Sequence, residues 1–66
     1  MKPEYNDYII NTGVSRFDCG PYEAAATKDE AIARAKELCL EYPCVEVVYM
    51  PVDNDDINDI IWSNYN

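Results

Sequence analysis

Histidine is absent from this chain, and glycine occurs only as Gly13 and Gly20. Without histidine, neither a Ser-His nor a Cys-His catalytic pair can form, so an enzyme would depend on carboxylates, lysine or thiols. Two isolated glycines cannot build the loop that cradles a phosphate. A chain of 66 residues also has little material for the walls of a substrate pocket. We therefore expect no enzymatic activity and no cofactor.

Long apolar runs are also missing, and cysteines are few. No run of about 18 apolar residues occurs, and the opening letters MKPE lack the apolar stretch of a secretory leader. The three cysteines, Cys19, Cys39 and Cys44, cannot all pair within one chain. We expect reduced and mostly buried thiols in a cytosol, and pairing of Cys39 with Cys44 across a helix end stays open.

Basic residues are scarce and end early in the chain. There are 13 acidic and 5 basic residues, a net charge of −8, and no base follows Lys36. The acidic residues that follow it are Glu37, Glu41, Glu46, Asp53, Asp55, Asp56 and Asp59. Nucleic acid and anionic membranes would repel this half within a Debye length of about 8 Å, so we expect direct contact with neither. The charge favours a protein partner with a basic surface.

The residues that are present suffice for one small domain, expected to span residues 1–66. Hydrophobic residues make up 48% of the chain, too many for a disordered acidic tail. Thr27 followed by Glu30 forms a capping box, which predicts a helix start. An apolar face then recurs at three-and-four spacing through Ala31, Ile32, Ala35, Leu38, Cys39 and Tyr42. A helix from Thr27 to Tyr42 is predicted, ended by Pro43, with Glu30 and Arg34 placed to form an ion pair.

Four β-strands are predicted around this helix. Tyr8–Asn11 and Tyr22–Ala26 precede it, joined through a wide or bulged segment and a turn at 18–21, and strands at 44–50 and 57–65 follow it. The predicted fold class is α+β, a single helix packed on a small antiparallel sheet in the order β-β-α-β-β. Val48 and Met50 share the second face of the third strand, which predicts a surface that a partner covers.

The segment from Asp53 to Asp59 superficially matches a calcium loop. Counting from Asp53, the fifth position is Ile57, the sixth is Asn58 where glycine is needed, and the twelfth is Asn64 in place of glutamate. Zinc is disfavoured as well, because three scattered cysteines without histidine lack the paired spacing of a structural site. We predict no dedicated metal site, and both weak calcium binding and a plain solvated loop stay open.

Carboxylates spaced along an ordered surface can stand in for DNA phosphates. Duplex DNA carries one charge per about 1.7 Å of axis, and its binding proteins meet it with lysine and arginine. Like charges that repel one another weaken a fold, and a binding role would explain that cost. The predicted partner-binding residues are seven carboxylates and one ring that also suits a core position: Glu37, Glu41, Glu46, Asp53, Asp55, Asp56, Asp59 and Trp62.

This organisation resembles small phage-encoded anti-defence proteins, in particular anti-CRISPR inhibitors. The shared features are the opening strand Tyr8-Ile9-Ile10, the capped alanine-rich helix, the Cys-Val-Glu-Val-Val strand and the late tryptophan. The resemblance covers nearly the whole chain. It implies a non-catalytic inhibitor in the bacterial cytosol, in some members a DNA mimic, that binds a CRISPR or other nucleic-acid-binding defence complex.

Two other functions stay open. A homodimeric structural or regulatory domain would bury an apolar sheet face and have no nucleic-acid-related target. A metal-responsive or thiol-responsive binder would show a melting temperature that moves with calcium, zinc or oxidant. DNA mimicry instead predicts binding that weakens steeply with salt and is lost when Asp55, Asp56 and Asp59 are changed to lysine.

Overall fold

The computed structural model describes residues 7–15, 17–51, 53–54 and 56–65. Its elements, in chain order, are β1 (Tyr8–Ser15), β2 (Asp18–Ala25), α1 (Lys28–Leu38), β3 (Cys44–Tyr49) and β4 (Asp59–Ser63). This arrangement confirms the predicted α+β class and the order β-β-α-β-β. Within the described residues, no helix has the length and apolar character that a membrane crossing requires.

The four strands form one antiparallel sheet in the order β2-β1-β3-β4. Since β1 lies between β2 and β3 and opposes both, β2 and β3 run in the same direction. α1 connects these two strands and packs against β1, β2 and β3, so it crosses one face of the sheet. We call the face under α1 the inner face and the opposite side the outer face.

The core lies between α1 and the inner face. Its fully buried members are Ile10, Val45 and Val47 from the sheet and Ala31, Ala35 and Leu38 from the helix. Ile10 and Val47 stand opposite each other on neighbouring strands, as the two-residue alternation of β-strands requires. Burial of each large aliphatic side chain contributes about 1.5–3 kcal/mol, and this thin cluster carries most of the hydrophobic stabilisation.

The helix begins as the capping box predicts but ends earlier. The Thr27 hydroxyl oxygen accepts a hydrogen bond from the Glu30 amide at 3.2 Å. The helix ends at Leu38 and not at Tyr42, with Cys39 as the C-cap. The Tyr42 amide still donates to the Leu38 carbonyl at 2.9 Å, so the chain leaves the helix through a tight turn. Pro43 disfavours helical backbone angles only at Tyr42, the residue before it, and so does not explain the end at Leu38.

The β1–β2 hairpin differs most from its prediction. The turn expected at 18–21 is wrong, because these residues begin β2 and pair with β1. Pro21 is tolerated within a strand here because β2 is an edge strand of the sheet and the proline nitrogen has no hydrogen to donate. The wide or bulged segment expected from Thr12 to Phe17 is confirmed by the register shift at Gly13/Ser15, and a second shift lies before it, at Ile10/Asn11.

β3 is buried on both faces. Its residues from Cys44 to Val48 are all buried, and Val48 on the outer face is only 3% exposed. The expectation that a partner must cover Val48 is therefore wrong, because the chain itself already covers it. Met50, which follows the strand, is 41% exposed.

Candidate binding surface

The sheet register gathers carboxylates at one end of the molecule. Ala25, Tyr8, Tyr49 and Asp59 form one row across the four strands. The chain enters α1 just beyond this row, and the β3–β4 loop also lies beyond it. Five exposed carboxylates share this region, which we call the acidic end: Asp29, Glu30, Asp53, Asp56 and Asp59.

Few positive charges balance the acidic end. Of the basic residues that the structure describes, Lys28, Arg34 and Lys36, only Lys28 lies there. Lys2 and Arg16 fall outside the described residues, as does Asp55 of the predicted set. Unbalanced carboxylates on one end produce a negative field that attracts basic surfaces and speeds their association.

Two of the predicted binding residues lie at the opposite end. Glu37 and Glu41 belong to the last turn of α1 and the turn after it, next to the start of β3. The β3–β4 loop, which contains Asp53 and Asp56 and which we call the acidic loop, follows the other end of β3. The six residues of β3 span about 17 Å at about 3.3 Å per residue. This separation exceeds a Debye length of about 8 Å. The predicted carboxylates therefore do not form one continuous patch.

Arg34 offsets part of the charge at the opposite end. Its Nε lies 3.1 Å from Oε1 of Glu23, and its Nη1 lies 3.3 Å from Oε1 of Glu37. Hydrogen bonds that Arg34 donates to Glu23 and to Glu37 raise the pKa of its guanidinium. The ion pair expected between Glu30 and Arg34 is replaced by these contacts, and Glu30, whose backbone amide donates to the Thr27 cap, lies at the acidic end.

Glu46 lies on the outer face but is buried, whereas its predicted binding role requires exposure. It is 7% exposed, and its carboxylate accepts hydrogen bonds from Asn11 Nδ2 at 3.0 Å and from the Tyr65 hydroxyl at 2.6 Å. The Cys19 thiol also donates to it at 3.6 Å. A buried carboxylate with these internal donors is not available to a partner in the folded protein.

The groups around Glu46 hold their protons tightly. The hydrogen bond to Glu46, together with burial, raises the pKa of Tyr65 to about 12. Burial and the nearby Glu46 charge raise the pKa of Cys19 to about 11. Both groups therefore stay protonated near neutral pH and act as hydrogen-bond donors. Cys44, whose pairing with Cys39 was left open, instead stands across Gly13 from Cys19, and no disulfide joins any of the three cysteines.

Trp62 faces inward. It stands opposite Val47 in the β3–β4 pairing, and its half-buried ring packs against the core cluster. This position favours the alternative in which the Trp62 ring is a core residue and not a binding residue. The exposed apolar residue of β4 is its neighbour Ile60, which is 56% exposed.

Asn54 shapes the acidic loop. Its Oδ1 accepts a hydrogen bond from the Asp56 amide at 3.1 Å, and its own amide donates to the Pro51 carbonyl at 3.2 Å. These hydrogen bonds tie Asn54 to Pro51 and to the exposed Asp56. Among the described residues, no group of three or more Cys, Asp or Glu side chains is arranged to hold a metal ion.

The sequence did not identify Asp29 and Glu30 as part of the acidic surface. Their spacing after Thr27 indicates helix capping, which the structure confirms for Glu30. Their place beside the distant β3–β4 loop follows only from the strand order, which sets the helix start and that loop at one end. Local sequence signals do not report that order.

No protein-family model, curated protein or solved structure matches this chain. Its function must therefore be inferred from its own surface. The features available for that inference are the acidic end, the buried Glu46 network, and the exposed apolar residues beside the acidic loop.

Proposed function

We propose that this protein is a non-catalytic inhibitor that docks its acidic end onto a basic, nucleic-acid-binding surface of another protein. In that position the carboxylates compete with DNA for the same lysine and arginine side chains. The target class is a CRISPR or other nucleic-acid-binding defence complex in a bacterial cytosol. The inhibitor contacts neither nucleic acid nor membrane directly and needs no cofactor.

One observation carries this proposal. Five exposed carboxylates share one end of the molecule, and Lys28 is the only basic residue that the structure describes there. Two unit charges 4 Å apart interact by about 1 kcal/mol in water and by about 4 kcal/mol near a protein surface. Several such pairs formed together are enough for specific docking. The proposal therefore assigns the binding contribution to the acidic end as a group and not to one residue.

The acidic end is better suited to this role than the rest of the predicted set. Glu37 is paired with Arg34, and Glu46 is buried beneath its own donors. The proposed contact residues are therefore Asp29, Glu30, Asp53, Asp56 and Asp59, and Asp55 remains a prediction from the sequence. Two of them belong to the first turn of a capped helix, which holds them in place at little entropic cost.

A homodimeric regulatory domain is the second candidate. The observation that favours it is the 56% exposed Ile60 on the edge strand β4, an apolar residue that a second copy would bury. This candidate predicts a dimer in sedimentation experiments that dissociates when Ile60 is changed to serine. The inhibitor needs no such dimer.

The test uses three immobilised forms of the protein. These are the natural chain, an acidic-end variant with Asp53, Asp56 and Asp59 changed to asparagine, and a control with Asp18, Glu37 and Glu41 changed to asparagine, glutamine and glutamine. Each variant removes three negative charges, but the control removes them from the opposite end. A nuclease-treated bacterial lysate is passed over each form, and bound proteins are eluted first with a short DNA duplex and then with salt.

We expect the natural chain and the control to retain nucleic-acid-binding proteins that the duplex releases, and the acidic-end variant to lose at least about tenfold in retention, or about 1.4 kcal/mol. Equal retention by all three forms would contradict the role of the acidic end. Bound proteins that resist elution by the duplex would contradict competition with DNA.

A further inference from the structure

An apolar row crosses the outer face directly below the acidic end. Ala24 of β2, Ile9 of β1, Val48 of β3 and Ile60 of β4 stand opposite one another in register. The row is closed in the middle, where Val48 is buried, and open at the β4 edge, where Ile60 is 56% exposed. Ile9 is half-buried, and Ala24 at the β2 edge is exposed as well, so the row is uncovered at both edges.

Met50 extends this apolar area toward the acidic loop. If the two-residue alternation of β3 continues, Met50 takes the same side as Val48 and becomes the diagonal neighbour of Ile60. Met50 is 41% exposed. Its amide donates to the Asp7 carbonyl at 2.7 Å, which fixes its backbone beside β1, just after the end of β3. We call Met50 and Ile60 the apolar step.

Charged and polar groups bound the apolar step on both sides. Asp53 and Asp56 occupy the loop that begins after Met50 and Pro51. Asp59 pairs with Tyr49 and so lies on the other face of the sheet from Ile60. On the other side, the next register row contains Asn11, Glu46 and Ser63, and the Glu46 network locks it with internal hydrogen bonds. A ligand on the apolar step therefore meets carboxylates on one side and a closed polar row on the other.

From this arrangement we infer that the partner segment presents an apolar side chain flanked by basic residues. The apolar side chain packs on Met50 and Ile60 while the neighbouring lysine or arginine side chains reach Asp53 and Asp56 in the loop. This inference rests on the proposed function, since it names the kind of segment that the acidic end receives. Charge complementarity selects this occupant, because a second copy of the chain would bring its own carboxylates against the same rim.

Apolar contact and charge contribute to binding in different ways. Attraction between exposed charges weakens with salt, whereas burial of apolar area does not. Burial of the exposed parts of Met50 and Ile60 is expected to strengthen binding by about tenfold. Mimicry of a DNA backbone by charge alone would not produce that second, salt-insensitive contribution.

The test compares two synthetic peptides of equal length and equal lysine content, one with leucine and one with glutamine at the remaining positions. Calorimetric titration measures their affinity for the natural chain, for a Met50→Ser/Ile60→Ser variant and for a Leu40→Ser control. Leu40 is 91% exposed and lies in the turn after α1, at the opposite end. Circular dichroism checks that each variant remains folded.

We expect the leucine peptide to bind the natural chain about tenfold more tightly than the glutamine peptide. The Met50→Ser/Ile60→Ser variant should lose this difference, and the Leu40→Ser control should keep it. Equal binding of both peptides to the natural chain, or loss of the difference in the Leu40→Ser control, would overturn the inference and leave the proposed function standing. Failure of both peptides to bind in low salt would count against the inference and the proposed function alike.

Discussion

Glu46 is the residue whose surroundings depart most from its place in the sequence. A glutamate in a valine-rich strand is expected to point to water, yet this one is 7% exposed. Its donors, Asn11, Cys19 and Tyr65, come from three other parts of the chain. Removing one partner would leave a buried polar group unsatisfied, which costs about 1–3 kcal/mol. Glu46 therefore acts as an internal tie between the strands and the chain end.

The tie between Tyr65 and Glu46 predicts a loss of stability at high pH. The pKa of Tyr65 rises from 10.0 to about 12 in the folded protein, so the folded state holds this proton more tightly than the unfolded state. Its contribution is fully present below the unfolded value and is lost as the pH rises through the folded value. Urea unfolding at successive pH values should show the free energy of unfolding falling between pH 10 and 12.

The matched variants are Tyr65→Phe and Tyr49→Phe. Tyr65→Phe should be less stable at neutral pH and should reduce the alkaline fall above pH 10 without abolishing it, because the titrating hydroxyl is gone while the Cys19 thiol, with its pKa raised to about 11, remains. Tyr49 packs its ring against Tyr8 with centroids 5.1 Å apart, and its variant should keep the fall. The same alkaline slope in both variants would show that the Tyr65 hydroxyl does not carry this effect.

At the scale of elements, the hairpin depends on Gly13. A Cβ at this position would lie 2.5 Å from Cα of Cys19 and closer still to the carbonyl oxygen of Asp18. β1 and β2 can therefore approach each other here only without a side chain. At Gly20, by contrast, an added Cβ meets nothing within 4 Å. The two glycines differ in the room available for a side chain and not in the sign of φ, since no described glycine has a positive φ.

This contrast predicts opposite outcomes for two matched substitutions. Gly13→Ala should lower the free energy of unfolding by about 1–3 kcal/mol, because the strands must separate to admit the methyl group. Gly20→Ala should leave it unchanged or raise it by up to about 1 kcal/mol by restricting the unfolded chain. Chemical denaturation of both variants measures the difference. Equal effects would contradict the close approach of β1 and β2 at Gly13.

Elements with local signals were predicted well, and those that depend on pairing were not. Thr27 and Glu30 marked the helix start because capping involves neighbouring residues. The β2 start was missed, since Asp18 and Pro21 favour a turn locally and become strand only by pairing with β1. The exposure of Val48 and Glu46 was also misjudged, because contacts from distant segments decide which face is covered.

At the scale of the whole molecule, strand order decides how charge is distributed. The sequence placed seven acidic residues after Lys36 and predicted one surface. The fold separates Glu37 and Glu41 from the acidic loop, buries Glu46, and brings Asp29 and Glu30 to the loop's end of the molecule. The sequence therefore predicted the acidic character of the candidate site but only some of its residues.

Chemical-shift mapping is the most direct test of binding through the acidic end. Isotope-labelled chain is titrated with a nucleic-acid-binding protein recovered by duplex elution, and the amide signals that move are assigned. We predict that the largest changes fall at Asp29, Glu30, Asp56, Asp59 and Ile60, and that added duplex DNA reverses them. Changes concentrated at Phe17 and Leu40, at the opposite end, would contradict docking through the acidic end.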